Sequence, residues 1–349
     1  MILRGLRQYG FRNLATAELA FAPGVTAVVG PNAAGKTNLL DACYLAASGD
    51  LPNGRIADAL RWGLEEGFVA ARIEHDDGTS EVHVGLAPGR KLLRLDGQNV
   101  RRTELARVTA AVRITPEDAE LVHGGPAGRR GWMDDLLGRL SPRHVALARE
   151  YAKLLEQRNA TLRGGADPAL LEAFGGPLAD IGDELVELRA RLVRRASELA
   201  GETYRGVAGN GPELTLRLLR SQGDRPLAEA LIASAAEERA RGVTVVGPHR
   251  DDLAIDLNER SVQTFGSRGE ARTAALALRA AELRLLEEKH REPPLLLLDD
   301  FSAELDADRR RYLLALTERG PQALVSGTEP PPHAGRVLRV SEGEVREDG

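Results

Sequence analysis

The chain has 349 residues, 42% hydrophobic and 28% charged, enough apolar material for a buried core. At ~150 residues per domain it predicts about two domains. A formal charge of −5 excludes a strongly basic chain that holds nucleic acid constitutively, so contact with phosphate backbones must come from a local patch or an assembled state.

A single cysteine, Cys43, excludes an internal disulfide and a Cys-rich zinc site. The seven histidines show no ligand spacing. No run of 18 apolar residues is present, and the start MILRGLRQYGFRN is broken by charges, so the expectation is a cytoplasmic chain without a membrane span. The positive charge is almost all arginine, with lysine only at 36, 91, 153 and 289.

Residues 1–35 predict two or three strands, the last (VTAVVG) fully buried and ending in GPNAAGKT; TNLLDACYLAA at 37–47 predicts the helix that follows. GFVAARIEH, SEVHVGLA, KLLRLDG and NVR predict strands separated by turn clusters, and VRI at 112–114 a further short one. From about 140 to 205 the period becomes helical. One helix spans about Val145 to Leu162, GGADP breaks it, and Leu178, Ile181, Leu185, Leu188 and Leu192 then form a coiled-coil-like seam. A helical hairpin arm and an ordinary helical subdomain both fit that pattern. Strands return at ELTLRLL, VTVVG and LAIDL. A long helix over 265–290, the buried strand LLLLDD, the helix DADRRRYLLALTER, the strand QALVSGT and a terminal hairpin RVLRVSEGEVRE complete the chain.

Gly30-Pro31-Asn32-Ala33-Ala34-Gly35-Lys36-Thr37 matches G-x-x-x-x-G-K-[ST] between a buried strand and a helix, the context that motif requires. Glycines let backbone N–H groups close around a β-phosphate, Lys36 reaches the β- and γ-phosphates, and Thr37 offers a hydroxyl to Mg²⁺. LLLLDD is its partner: a buried parallel strand delivering Asp299 to Mg²⁺ and Asp300 to an attacking water. Most of the chain separates the two motifs, unlike a compact kinase or small GTPase, and no guanine-reading NKxD is visible, which favours ATP.

A second small-residue turn before a long helix, Phe265-Gly-Ser267-Arg-Gly269-Glu270, lies just ahead of the Asp299 strand. That order resembles ABC-type ATPases, whose signature turn contacts the γ-phosphate held by the other subunit of a facing dimer. Ser267 and Gly269 occupy the matching places. Phe301-Ser-Ala-Glu-Leu-Asp306 resembles the D-loop, and QALVSGT the switch strand. Transporter subunits usually carry histidine there; this chain has Ser326 and Thr328, which together with the inserted arm argues against the alternative of a transporter ATPase subunit.

FRNL, VVGPNAAGKTNLLDA, ITPEDAELVHGGPAGRR, VGPHRDDL, FGSRGEART and LLLLDDFSAELDADRR follow in this order over nearly the whole chain, and together they resemble the RecF family, recombination mediator ATPases related to SMC heads. Glu270 stands where that family often has Gln, and Trp132-Met133 where it often has Phe-Leu. The resemblance implies an α/β P-loop ABC-type ATPase head with an inserted helical arm, divided as 1–121 with 242–349 for the head and 122–241 for the arm. It further implies ATP and Mg²⁺ as ligands and an ATP-dependent homodimer that binds duplex DNA near single-strand gaps. RecO and RecR would be its partners in RecA loading, with slow DNA-dependent hydrolysis as the release step. Glu117 and Asp118 fall where a Q-loop would be. His249-Arg250 fits a position near the dimer face or DNA, while turn chemistry and local ion pairs explain both stretches equally.

Overall fold

The computed structural model describes residues 1–52, 54–87, 90–209, 211–300, 306–320 and 322–348. Contacts divide the chain into two compact units: Met1–Asp118 with Gly206–Gly209 and Leu276–Gly349, and Ala119–Arg205 with Asn210–Ala275.

Numbered along the chain, the first unit holds two six-stranded sheets. The antiparallel one consists of β1 (Ile2–Tyr9), β2 (Ala17–Ala20), β4 (Gly67–His75), β5 (Gly78–Ala87), β6 (Arg90–Leu95) and β7 (Gln98–Asn99), in the order β2-β1-β4-β5-β6-β7. The other contains β3 (Gly24–Val29), β8 (Ala111–Ile114), β12 (Leu295–Leu298), β13 (Gln322–Gly327), β14 (Arg336–Ser341) and β15 (Glu344–Glu347), in the order β15-β14-β3-β13-β12-β8. It is parallel from β14 to β8, and β15 closes an antiparallel hairpin on β14.

The runs LLLL and QALVSG are buried at every position, as expected of parallel strands covered on both faces. Helix α1 (Lys36–Ser48) is apolar nearly all round because it packs on strands of both sheets, β4 and β5 from one and β8, β12 and β13 from the other. Short α2 (Arg102–Leu105) and α10 (Ala307–Arg319) also belong to this unit.

The second unit contains α3 (Glu120–His123), α4 (Pro126–Leu140), α5 (Pro142–Arg163), most of α6 (Pro168–Ala208), α7 (Leu227–Arg241), α8 (Val262–Phe265) and the first part of α9 (Arg268–His290). Its three-stranded sheet has the order β11-β10-β9, from β9 (Leu214–Leu219), β10 (Asp252–Leu257) and β11 (Arg260–Ser261). Residues 242–275, grouped with the head in the sequence reading, make their contacts here: β10 pairs with β9 from Asp252↔Leu219 to Leu257↔Leu214, and α4 packs on β10.

The leucine seam of α6 is not a two-helix coiled coil. Leu178 and Leu185 pack with Tyr151 of α5 and with Leu227, Ala230 and Leu231 of α7, a helix that the hydrophobic pattern did not announce. Leu188 is only half-buried, so the heptad lapses there. VTVVG is not a strand either. Side chains take its backbone donors, Thr244 N–H bonding Asn159 Oδ1 at 2.7 Å and Val245 N–H bonding Glu238 Oε1 at 3.1 Å.

Candidate functional site

The loop between β3 and α1 is built from close backbone approaches. A Cβ on Gly30 would lie 2.1 Å from the carbonyl oxygen of Val340, so only glycine lets β3 leave the sheet beside β14. Gly35, the N-cap of α1, has φ +114°, a left-handed value that suits glycine, and its α-carbon face lies against Asn13. Gly343 N–H donates to Ala34 O at 2.9 Å, and Gly343 O accepts from Ala15 N–H at 2.9 Å, bracing the loop between the terminal hairpin and the segment after β1. The first N–H groups of α1 have no acceptor within the helix, which leaves an anion-seeking end at Lys36 and Thr37. Lys36 Nζ donates to the carbonyls of Gly30 (2.9 Å) and Pro31 (3.0 Å).

The strand order places β13 between β3 and β12, so the end of β13 sits between the loop and the acidic pair. Thr37 Oγ1 donates to Asp299 Oδ1 at 3.1 Å, and Ser326 Oγ at the end of β13 donates to the same oxygen at 2.6 Å. Ser326 Oγ in turn accepts the Asp300 N–H at 2.8 Å, which fixes the turn after β12. Asp300 has φ +52°, a left-handed conformation that Asp tolerates better than most residues. The two sequence motifs therefore meet through side chains, with Ser326 as the joint.

Three further residues, unassigned from the sequence, complete the site. Arg113 of β8 is 8% exposed. One guanidinium nitrogen donates to Asp299 Oδ2 at 2.7 Å, and the other lies 2.8 Å from Asp41 Oδ1 on α1. Arg12 pairs with the other oxygen of Asp41 and also donates to Asn38 Oδ1 at 2.7 Å. Burial pushes the Asp41 carboxyl upward, Arg113 and Arg12 pull it back, and the nearby Asp299 charge adds to the rise. The signal in the sequence was an arginine inside a four-residue strand buried at every position, which requires a buried counter-charge.

In the second unit, Ser267 caps α9. Its Oγ accepts Glu270 N–H at 3.2 Å, and Glu270 Oε2 accepts Ser267 N–H at 2.8 Å and the Ser267 hydroxyl at 2.9 Å. This reciprocal capping box holds the Glu270 carboxyl below its ordinary range, chiefly through the backbone hydrogen bond. Ser267 is exposed and Gly269 half-buried.

VGPHRDDL is a buried hub of this unit. Asp251 accepts Ser221 N–H at 2.9 Å, and Arg189 donates to Pro248 O at 2.5 Å and to Asp134. Arg129 forms a two-pronged pair with Asp252 at 2.7 and 2.8 Å. His249 bonds Tyr151 OH through Nδ1 (2.8 Å) and the Thr244 carbonyl through Nε2 (3.1 Å). Local ion pairs and turn chemistry thus account for every charged residue of this stretch but Arg250, which is exposed. They account for Asp118 too, which accepts Thr115 N–H at 2.8 Å and the guanidinium of Arg279 at 2.7 Å, both within the first unit; Glu117 is exposed. Of the D-loop-like turn, Phe301–Leu305 lie outside the described residues, and Asp306 caps α10 by accepting Arg309 N–H at 2.9 Å.

The chain matches the model of the RecF/RecN/SMC N terminal domain over residues 2–328. It is 46% identical to the DNA replication and repair protein RecF of Deinococcus radiodurans, covering 98% of this chain and 94% of that one. The identity is 38% to the protein of the same name from an Anaeromyxobacter species, covering 94% and 93%. A solved structure of the recombination mediator RecF with ATP, in the RecFOR pathway, superposes with a TM-score of 0.93 at 27% identity over 99% of this chain and 97% of that one. An SMC head bound to the C-winged helix domain of ScpA shares the fold at a TM-score of 0.58 and 17% identity, covering 99% and 96%. The α/β architecture expected from the sequence, a P-loop ABC-type head of SMC kind, is the one these structures share, and the chain belongs to the RecF family.

Proposed function

We propose that this chain is an ATP-driven, DNA-binding switch of recombinational repair. The single observation that carries the reading is the Thr37 hydroxyl on Asp299 Oδ1, which joins the phosphate-binding loop and the acidic strand in one oxygen-lined site. Residues Gly30 to Thr37 would cradle the triphosphate, with Lys36 on its β- and γ-phosphates. Thr37 and Asp299 are hard oxygen donors that fit Mg²⁺, which is commonly held by one or two protein groups with phosphates supplying the rest. Among the described residues no cluster of three or more His, Cys, Asp or Glu stands as an independent metal site, in keeping with a metal that arrives with nucleotide. Bound there, the ion would neutralise charge on the phosphate oxygens.

Asp300, anchored through its own N–H on Ser326, would orient the attacking water. Ser267 and Gly269, at an exposed helix end, would dock on the γ-phosphate held by a second copy. Two copies would then close around two ATP molecules, and hydrolysis, slow and stimulated by DNA, would release them. RecF relatives named as replication and repair proteins, and one solved with ATP in the RecFOR pathway, support the ATP and repair parts of this reading. RecO and RecR are the proposed partners, and RecA loading the proposed outcome. Duplex DNA next to single-strand gaps is the proposed ligand, and a net charge of −5 suits avidity from two combined faces better than tight binding by one.

Filter binding of gapped duplex, with and without ATP across a salt series, tests it. ATP-dependent affinity that falls with salt is expected. Equal, salt-insensitive affinity in both conditions would contradict it.

A further inference from the structure

The acidic strand of this chain carries a resident cation. Arg113 puts one nitrogen on Asp299 Oδ2 at 2.7 Å and the other 2.8 Å from Asp41 Oδ1, while Asp299 Oδ1 is left to the hydroxyls of Thr37 and Ser326. All three charged side chains are at least nine-tenths buried, so none is neutralised by bulk water. Arg12 supplies a second guanidinium to Asp41. The four side chains Arg12, Asp41, Arg113 and Asp299 sum to zero charge beneath the loop.

We propose that Arg113 is a positioning residue that divides the two oxygens of Asp299, and that it makes divalent-metal binding conditional on nucleotide by supplying the counter-charge the carboxylates would otherwise seek from solution. The proposal rests on the nucleotide reading above. Holding Oδ2 against β8 turns Oδ1 toward Thr37, the side from which a phosphate-borne Mg²⁺ would arrive. With its charge already balanced, the pair Asp41 and Asp299 has little attraction for a bare cation. A triphosphate adds the negative charge that tips the balance.

The electrostatics fix two opposite signs. Arg113→Met leaves the cluster at −1, which favours a divalent cation and disfavours bare ATP. Asp41→Asn leaves it at +1, which does the reverse, and Asn keeps an acceptor oxygen for a guanidinium. One unit of charge about 6 Å from a divalent ion changes its affinity on the order of tenfold even at the dielectric of bulk water, and burial makes that a lower bound. A merely structural role for Arg113 would instead weaken binding in both variants.

The experiment measures the Kd of a fluorescent ATP analogue in Mg²⁺ and in EDTA for the full chain and each variant, and takes the ratio of the EDTA value to the Mg²⁺ value. That ratio should rise at least about tenfold in Arg113→Met, fall at least about tenfold in Asp41→Asn, and stay near the wild-type value in Arg113→Lys, which keeps the charge. Mg²⁺ alone should raise the melting temperature of Arg113→Met and leave that of the wild type unchanged. Ratios that move together, or do not move, overturn the proposal. If Arg113→Met does not fold, Asp41→Asn carries the test alone, and an unchanged ratio overturns it. A wild-type chain that binds no ATP overturns the nucleotide reading itself, a result distinct from a bound nucleotide whose metal dependence ignores Arg113.

Discussion

Ser326→Ala removes one hydroxyl that makes two hydrogen bonds. Ser326 is fully buried, donates to Asp299 Oδ1 at 2.6 Å and accepts Asp300 N–H at 2.8 Å. Loss of a hydrogen bond to a charged carboxylate costs about 1.5–3 kcal/mol, and leaving a buried N–H without an acceptor about 1–3 kcal/mol. Asp299 keeps Thr37 and Arg113, and Asp300 is only half-buried, so the low end of each range applies and the total is about 2.5 kcal/mol. For a unit of this size that corresponds to a drop of roughly 5–10 °C in the midpoint of thermal unfolding. Ser326→Thr keeps the hydroxyl and serves as the control. Calorimetry gives the stability, and single-turnover hydrolysis shows whether Asp300 has lost its anchor; nucleotide binding should persist, since Lys36 and the loop are untouched. A stability loss below ~0.5 kcal/mol with unchanged hydrolysis would mean that neither hydrogen bond matters, and would rule out Ser326 as the joint of the site.

Lys36→Met removes the ammonium that now bonds the Gly30 and Pro31 carbonyls; fluorescent-ATP affinity should fall at least ~100-fold while the melting temperature of the nucleotide-free chain changes little. Asp300→Asn should keep ATP binding but slow hydrolysis at least ~100-fold, trapping an ATP-bound dimer on DNA, as read by quenched-flow and sedimentation. Burial holds His249 down to about 4, below its ordinary 6.5. The unfolded chain therefore binds the proton first, and stability is lost as pH falls from 6.5 toward 4, by about 3 kcal/mol at the lower end. Urea midpoints at pH 7 and pH 5 should differ less in His249→Gln than in the wild type.

How much of this was legible depended on where the backbone found its partners. VTAVVG and LLLLDD read correctly as buried strands because parallel strands covered on both faces must be apolar at every position, and the loop at 30–37 followed from its fixed glycines and Lys36. VTVVG has the same composition, yet Asn159 and Glu238 satisfy its donors, and no local pattern reveals side chains brought from α5 and α7. The leucine seam announced a partner helix but could not show that α7 shares the seam with α5. In the site, Lys36, Thr37 and Asp299 were readable as motifs. Ser326 was noticed as the absence of a histidine, and only the order β3-β13-β12 turns that absence into a joint between the two motifs. Arg113 lies far in sequence from both its partners: the parallel register of β8 on β12 brings it to Asp299, and the packing of α1 on β8 brings it to Asp41.

In the proposed dimer, two copies face each other so that the exposed turn at Ser267 serves the ATP of the partner. Ser267→Arg puts a bulky cation at that turn and leaves the loop at 30–37 intact; Lys36→Met disables the loop and leaves the turn intact. Sedimentation with ATP and Mg²⁺ should find each variant monomeric alone, with Ser267→Arg still binding ATP. An equimolar mixture should contain a measurable fraction of heterodimer, held by the one composite site that joins the good loop of one copy to the good turn of the other. Loss of ATP binding in the Ser267→Arg monomer, or wild-type dimerisation by either variant alone, would contradict the facing arrangement.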